Sequence, residues 1–359
     1  MMPLAAVLDL ARWAPSGDNT QPWRFAVEGS DGLTVFGHDT REHCVYDLDG
    51  HPSQISIGAL LETIALAATR FGLATRIDRR EGSPDESPTF DLRFRNQPGL
   101  AEDPLVAHIL ARRVHRRPLR LRRLSAAEKS ALERAVGKGF ALIWFEGWTG
   151  RARLAWLNFT AAKIRLTTPE AYRVHRDVIE WGTRSSLDRV PDAALGASAP
   201  TLMLMRWAMA SWRRIVILNR FFAGTLAPRL ELDLVPGIAC AAHCVLVAER
   251  VPATVDDYIA VGRALQRFWL TATSLSLQFQ PEYTPLIFAR YAREGRYFTA
   301  VAPAVRRAQA TLMALKRLLG TDFAERAVFM GRIGAGSPAQ ARSLRLPLEH
   351  LVTSGDQKL

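Results

Sequence analysis

Two segments of this chain, residues 58–73 and 262–277, share one sequence pattern. The first reads GALLETIALAATRFGL and the second reads GRALQRFWLTATSLSL. Identical residues fall at matching places, at Gly58/Gly262, Leu61/Leu265, Leu66/Leu270, Ala68/Ala272, Thr69/Thr273 and Leu73/Leu277. Apolar residues in both segments recur at the spacing of one helix face, and an extended stretch follows each. This order favours an internal duplication over two buried Ala/Leu-rich helices that coincide by chance.

The repeat divides the chain into a first half, residues 1–100, and a second half, residues 101–359. A short amphipathic helix opens the first half and ends at Pro15. In the second half, a capping box at Ser125–Glu128 opens a helix, and Ala141–Phe145 predicts the strand after it. Strands are predicted in the first half at Trp23–Val27, Leu33–Gly37 and Thr89–Phe94. Pattern alone therefore predicts a mixed α and β protein.

Composition and charge exclude several classes of protein. The chain has 359 residues and is 48% hydrophobic and 23% charged, which is typical of folded domains. Its start lacks the basic region of a signal peptide, and arginines interrupt the apolar stretch Leu202–Phe222, so we expect no membrane span. The net charge of +12 would attract phosphates, nucleic acid or an anionic membrane. Because no nucleic-acid module signature is present, we expect a phosphate site and a solvated basic surface, and no nucleic-acid partner.

Three cysteines, Cys44, Cys240 and Cys244, form neither a metal-binding spacing nor a disulfide framework. We therefore expect no metal and a reducing, cytoplasmic setting. In a helix, Cys240 and Cys244 would share one face, but their apolar surroundings favour buried small residues. His243 lies beside them without a carboxylate neighbour, which indicates a core or strand histidine rather than a ligand.

Residues 11–25, ARWAPSGDNTQPWRF, place a polar turn between the first helix and the first strand. Small and amide side chains in a tight turn leave backbone N–H groups and the Asn19 carboxamide free to face a ligand. A plain helix–turn–strand corner is the alternative interpretation of the same residues.

The string P-S-x-x-N-x-Q-P-W, from Pro15 to Trp23, resembles the flavin-contacting motif of the nitroreductase family, which binds FMN. The string R-R-x-x-R at Arg112–Arg116 resembles R-R-S-x-R, which grips the FMN phosphate in that family. The arginine of R-x-P-L, which also reaches that phosphate, corresponds to Arg345. Val114 stands where the family has serine, which removes one hydroxyl donor. The order of motifs resembles the long single-chain, Acg-like branch of the family.

The resemblance implies an α+β, nitroreductase-like fold, with a mixed, mostly antiparallel sheet and flanking helices, duplicated within one chain as a pseudo-dimer. In the family, the P-S-x-x-N motif and the arginine motif come from different protomers, so FMN lies in the dimer interface. Here the two motifs belong to different halves of one chain. Too few residues precede Pro15 to supply another arginine motif. We therefore expect one FMN per chain, in a monomer or a homodimer.

The resemblance assigns flavin contacts to three parts of the chain. Arginine suits the phosphate because its planar fork donates to two oxygens at once. The loop Gln278–Thr284 is similar to the family loop whose backbone lies against flavin N5, and a plain turn is the alternative. Arginines from Arg117 to Arg123 are expected to form a solvated face. The expected cofactor-binding residues are Pro15, Ser16, Gly17, Asn19, Arg112, Arg113, Arg116, Pro281, Tyr283, Thr284 and Arg345.

We predict no catalytic acid or base, because the flavin itself would carry the hydride. Glu28, Glu62 and His115 are candidates that nothing in the sequence distinguishes. Residues 150–235 have no counterpart in a minimal nitroreductase and are expected to form a lid or a binding loop. The segment Met203–Pro228, rich in Trp, Arg and Phe, is expected to pack over the flavin, and membrane-surface binding is the less favoured alternative.

Functions of three kinds agree with these observations. The first is a flavoprotein oxidoreductase that uses NADH or NADPH to reduce a nitro, quinone or related small-molecule acceptor. The second is a non-catalytic protein that stores or sequesters FMN under a lid. The third is a basic surface-binding protein with an inactive nitroreductase core.

Overall fold

Two antiparallel four-stranded sheets and their covering helices make up residues 3–353, which the computed structural model describes. The helices are α1 Leu4–Ala11, α2 His51–Thr69, α3 Ala126–Ala135, α4 Gly147–Arg165, α5 Pro169–Val178, α6 Ala199–Met209, α7 Trp212–Phe221, α8 Leu226–Arg229, α9 Val235–Ile238, α10 Val255–Ser274, α11 Thr284–Arg293, α12 Ala302–Leu319 and α13 Thr321–Arg326. None of the helices in this described range is long and apolar enough to cross a membrane.

The strands form one sheet from each half of the chain. They are β1 Trp23–Glu28, β2 Gly32–Gly37, β3 Leu73–Arg79, β4 Thr89–Asn96, β5 Phe140–Phe145, β6 Ile179–Glu180, β7 Ser185–Ser186, β8 Val190–Pro191, β9 Ala242–Ala248, β10 Leu277–Pro281, β11 Ala327–Ala335 and β12 Arg342–Ser343. The strand orders are β1-β2-β4-β3 and β10-β11-β9-β5, with short parallel pairs β6–β8 and β7–β12. The predicted α+β class with mostly antiparallel strands is confirmed.

The order of buried and exposed residues along each strand explains which strands could be predicted from the sequence. In β4, Phe90 and Leu92 are buried while Arg93 is exposed, as alternation predicts for a sheet with one solvated face. Every residue of β9 is buried instead. Cys240 and Cys244 therefore do not share a helix face, because Cys244 lies in β9 and Cys240 precedes it. A short, wholly apolar run has no period that separates a central strand from a buried helix. Both cysteines are buried, as predicted.

The two repeat segments meet each other at their glycines. Helices α2 and α10 pack closely, and a Cβ added to Gly58 would lie 3.0 Å from Gly262 Cα. A Cβ added to Gly262 would lie 2.8 Å from Gly58 Cα and 2.9 Å from the Ala59 nitrogen. These are backbone atoms, which cannot rotate away. The glycines are therefore required for the close approach of the helices at the centre of the molecule.

Replacing Gly262 with alanine is expected to destabilise the fold by about 2–4 kcal/mol. In an open helix the same change would stabilise by up to about 1 kcal/mol, because alanine favours helix. Here overpacking against the α2 backbone reverses the sign. Urea unfolding measures the difference. The exposed Ala260 on the same helix, changed to serine, is the control and is expected to stay within about 0.5 kcal/mol of the wild type. An unchanged stability of Gly262→Ala would contradict the close packing.

The segment 150–235 begins inside the core of the second half. Leu154 and Leu157 of α4 pack against Val245 and Val247 of β9. Helix α4 is therefore a covering helix of the second sheet, and the chain departs from that core only after Arg165.

The end of the chain returns to the first half. The N–H of Phe25 in β1 donates to the carbonyl oxygen of Leu351 (2.8 Å), and the N–H of Thr353 donates to the carbonyl oxygen of Phe25 (2.8 Å). This pairing extends the free edge of β1 and carries the preceding residues, Arg342 to Arg345, towards the turn after α1.

Candidate functional site

A cavity of about 380 Å³ lies between the two halves. Its wall is built from the turn after α1, one face each of α2 and α10, the basic segment 112–116, the end of β10 and the returning C-terminal segment. A volume of this size lies within the range of small-molecule sites. The sequence-predicted residues that line it are Pro15, Ser16, Gly17, Asn19, Arg112, Arg113, Arg116, Pro281, Tyr283, Thr284 and Arg345.

The turn after α1 has an unusual backbone. Asp18, Asn19 and Gln21 have φ angles of 48°, 64° and 49°, in the left-handed region that residues other than glycine seldom adopt. The turn is closed by the Gln21 N–H, which donates to Ser16 Oγ (3.0 Å). A Cβ added to Gly17 would meet no atom within 4 Å, so this residue faces open space in the cavity wall. Such local strain is typical of sites that bind a ligand.

Asn19 uses its carboxamide nitrogen differently from what the sequence suggested. The nitrogen donates to the carbonyl oxygens of Leu187 (3.1 Å) and Arg189 (3.2 Å), and Gln21 Nε2 also donates to Leu187 (2.9 Å). Among the described residues, Asn19 Oδ1 is buried without a hydrogen-bond partner. The oxygen is therefore the group that Asn19 offers to a ligand N–H. Gln21, which sequence reasoning did not select, holds the Leu346 N–H with its Oε1 (2.9 Å).

Two arginines from the second half donate hydrogen bonds to carbonyl oxygens just after the end of α1. Arg112 donates to Trp13 (2.7 Å), and Arg345 donates twice to Ala14 (3.0 and 2.8 Å). These bonds join the turn of the first half to the arginines of the second.

The basic segment 112–116 runs beside β10. Val114 pairs with Phe279 as an isolated parallel bridge, and the His115 N–H donates to the Phe279 carbonyl oxygen (3.2 Å). This pairing fixes Arg112, Arg113 and Arg116 at the cavity wall. Arg112 also lies 4.7 Å from the ring centroid of Trp269, as a cation–π contact.

Five arginines of the cavity wall form no ion pair within the described part of the chain, although the charge of Asp18 acts on one of them, Arg116: they are Arg112, Arg113, Arg116, Arg342 and Arg345. Their side-chain hydrogen bonds go to backbone carbonyl oxygens. Two other cavity arginines form ion pairs instead, Arg165 with Asp233 (3.3 Å) and Arg332 with Glu282 (2.8 Å). The wall therefore carries an excess of positive charge. Sequence reasoning missed Arg342, which lies three residues before the arginine of the C-terminal motif.

Burial disfavours the charged form of several of these arginines, which lowers their pKa values. It lowers the pKa of Arg112 well below the usual range, and the charges of Arg345 and Arg342 act in the same direction. Burial also lowers the pKa of Arg116 to about 10 and the pKa of Arg345 to about 9. Buried cations without anions destabilise a fold, so an anionic ligand in this cavity would stabilise the protein.

The segment Gln278–Thr284 is not the loop that the sequence suggested. Gln278 to Pro281 belong to β10, and Thr284 is the first residue of α11. The residues expected to contact a ring thus lie where a strand ends and a helix begins. In the first helical turn, Pro285 has no N–H and the Leu286 N–H donates to the Tyr283 carbonyl oxygen (3.1 Å), which leaves the Thr284 N–H as the donor of this turn at the cavity wall.

A buried ion-pair network supports this corner. Glu282 accepts a hydrogen bond from Arg332 (2.8 Å), and its other oxygen lies 2.6 Å from His243 Nδ1. Nε2 of His243 lies 2.7 Å from the Gly237 carbonyl oxygen, which can only accept. The ring therefore carries both protons. His243 is a strand histidine, as predicted, but the absence of a carboxylate neighbour was wrong, because Glu282 is distant in the sequence and adjacent in space.

This network makes stability depend on pH. Burial disfavours the charged ring of His243, but the Glu282 carboxylate outweighs it and raises the pKa of His243 from 6.5 to about 10. Between these values the folded state holds a proton that the unfolded state has lost, so stability falls as pH rises. We expect a slope of up to about 1.4 kcal/mol per pH unit from this group. Urea unfolding from pH 6 to 10 measures it. His243→Gln should lose this slope, and a variant with the wild-type slope would contradict the charged ring.

A short segment, Leu187–Leu195, covers one side of the cavity; we call it the cover segment. Val190, Ala194 and Leu195 line the cavity, Asn19 binds the start of the segment, and Arg116 donates to the Ala194 carbonyl oxygen (3.0 Å). None of residues 199–228 lines the cavity. The expectation that Met203–Pro228 packs over the flavin site is therefore wrong.

Comparisons with known proteins give distant likenesses, and no family model matches the chain. The uncharacterized protein MT1398 of Mycobacterium tuberculosis is 24% identical over 290 residues, which cover 77% of this chain and 38% of that protein. The uncharacterized protein Rv3127 of the same species is 28% identical over 179 residues, covering 48% and 51%. The chain thus spans about half or less of the length of these curated relatives.

Among solved structures, a nitroreductase-like family protein from Bacillus cereus is 12% identical, with a TM-score of 0.36. The match covers 70% of this chain and 96% of that one. Likenesses of this size assign neither a family nor an activity.

Proposed function

We propose that this chain binds one FMN in the cavity between its halves and is an NAD(P)H-dependent oxidoreductase that reduces a nitro, quinone or related small-molecule acceptor. The observation that carries the proposal is the set of five arginines that form no ion pair, within the described part of the chain, around a cavity lined by the Ser16–Asn19 turn. We place it with the nitroreductase-like, single-chain branch on its motifs. A cytoplasmic setting, where NAD(P)H is available, is part of the same proposal.

The phosphate of FMN would pair with the positive charge of the cavity wall. A phosphate dianion needs several charge-assisted donors when it is buried. Arg112 has a buried Nε without a partner among the described residues, and Arg342 has another. We propose that Arg112, Arg113, Arg116 and Arg345 hold the phosphate, with Arg342 as a fifth donor.

Other residues of the cavity wall suit a flavin ring. Trp269 and Ile55 supply apolar surface, and Gly17 leaves open space beside the turn. Asn19 Oδ1 is an unpaired acceptor, and the start of α11 at Tyr283 and Thr284 offers backbone donors. Together these groups would orient the ring.

Bound FMN would supply the redox chemistry, transferring hydride from NAD(P)H to the acceptor. The protein's own contribution is to bind, orient and shield. The cover segment limits access of water to one side of the cavity. No side-chain acid or base is required by this assignment.

A single site per chain is supported by the repeat. When the two repeats are aligned, Arg263 of α10 stands where α2 has Ala59, a residue of the cavity wall. Arg263 and Arg267 both donate to Glu62 at 2.8 Å. The equivalent place in the other half is thus filled by ion pairs, which agrees with our proposal of a pseudo-dimer that retains one site.

One observation favours the second candidate, a protein that stores or sequesters FMN. Asn19, Gln21 and Arg116 all bind the cover segment, which would have to move for a nicotinamide to reach the ring. Anaerobic mixing of the FMN-loaded protein with NADH or NADPH separates the candidates. Bleaching of the flavin band near about 450 nm is the expected result. An FMN-loaded protein that neither reductant bleaches would overturn the oxidoreductase and support sequestration.

A further inference from the structure

Helices α6 and α7 form a hairpin whose outer surface is apolar. Phe222 is 72% exposed, Phe221 is 67% exposed and Trp207 is 48% exposed. Other large apolar side chains exposed on the same hairpin and its C-terminal end are Met203, Leu204, Val216, Ile217 and Leu226. Single exposed apolar residues are ordinary, but a cluster of this kind marks an interaction surface.

The same hairpin carries only positive charge. Arg206, Arg213, Arg214 and Arg220 lie on it, and the sequence has no Asp or Glu between Asp192 and Glu231. Two of the guanidinium groups lie over exposed rings, Arg214 over Trp207 (4.9 Å) and Arg220 over Phe221 (5.5 Å). Aromatic and basic side chains are therefore interleaved on one surface.

Only the inner face of the hairpin is attached to the rest of the protein. The ring of Tyr172 in α5 lies 5.4 Å from the ring of Trp212, tilted by 47°, and its hydroxyl donates to the Met209 carbonyl oxygen (3.0 Å). Asn219 donates to the Leu166 carbonyl oxygen (3.0 Å). Since residues 199–228 do not line the cavity, the outer face has no partner in the described part of this chain.

We propose that this hairpin docks the protein on the surface of an anionic phospholipid bilayer. Its aromatic and aliphatic side chains enter the headgroup boundary, and the arginines contact lipid phosphates. Neither helix is long enough to span a bilayer, so the hairpin lies in the interface. A second copy of the chain is a poorer occupant, because two surfaces that carry only arginines repel each other. The aliphatic residues between the arginines also favour lipid over nucleic acid as the partner of this surface.

Vesicle flotation tests the docking with the full chain. Vesicles of equal parts phosphatidylcholine and phosphatidylglycerol are expected to carry the protein, whereas phosphatidylcholine alone carries much less. Arg213→Gln/Arg220→Gln is expected to weaken binding about 20- to 30-fold, because each basic residue near such a surface contributes about fivefold. Phe221→Ser/Phe222→Ser should also abolish most binding. Arg306→Gln/Arg317→Gln, which removes two exposed charges from α12, is the matched control and should bind like the wild type.

Every variant changes exposed residues far from the cavity wall, and thermal unfolding verifies that each is folded. Failure of the wild type to float with phosphatidylglycerol overturns the proposal. Equal loss of binding in the α12 control overturns it too, since net charge would then explain the effect. Self-association in sedimentation that disappears in Phe221→Ser/Phe222→Ser would assign the surface to a second copy and also overturn it.

Discussion

Replacing Arg112 with glutamine is expected to weaken FMN binding about 10- to 100-fold. Hydrogen bonds to a charged group contribute about 1.5–3 kcal/mol each, and glutamine cannot supply the charge. The FMN-free protein should lose little stability. The variant loses one hydrogen bond to Trp13, but it also removes a buried cation whose pKa burial already depresses. Fluorescence titration measures the affinity, and thermal unfolding measures the stability.

The matched control is Arg117→Gln, which removes the same charge from an exposed neighbour in the same basic run. We expect wild-type affinity for this variant. Arg113→Gln is the second test, because Arg113 is only half-buried and its replacement does not disturb the core. Equal affinity of all three variants and the wild type would contradict the arginine cluster as the phosphate site.

Replacing Glu282 with glutamine is expected to lower the free energy of unfolding by about 3–5 kcal/mol. Glutamine keeps the size of the side chain but leaves Arg332 and His243 buried without their anion. Adding Arg332→Met to Glu282→Gln should recover part of the loss, because the unpaired cation is then removed. Urea unfolding at neutral pH measures both variants.

The control for this pair of variants is Asp177→Asn, which breaks the exposed ion pair with Arg176. Exposed pairs contribute little, so we expect a change within about 0.5 kcal/mol. A Glu282→Gln variant as stable as this control would contradict the buried network beside the cavity.

The sequence predicted residues that line the cavity because they belong to local strings. The Pro15–Trp23 turn, the basic run at Arg112 and the arginine at position 345 could each be recognised without knowing the fold. Hairpins and the capped helix α3 were predictable for the same reason, since turn residues and caps act over a few positions.

Other features depend on contacts between distant residues. Glu282 lies beside His243 because β11 pairs with β9 on one side and with β10 on the other. Sequence periodicity does not reveal which strands are neighbours. The residue pattern of β9 did not separate a strand from a helix, because the strand is buried on both faces. The predicted lid, residues 150–235, contains the cover segment, but composition drew attention to the aromatic and basic residues of Met203–Pro228 instead of Leu187–Leu195. The contacts of Asn19 with Leu187 and Arg189 decide which segment covers the cavity.

Comparing FMN with riboflavin in one titration tests the central claim most directly. The protein is titrated with each flavin, and bound ligand is counted by equilibrium dialysis. We expect FMN to saturate at one molecule per chain and riboflavin, which lacks the phosphate, to bind at least about 100-fold more weakly. Two FMN molecules per chain, no binding of FMN, or equal affinity for the two flavins would contradict a single site held by the arginine cluster.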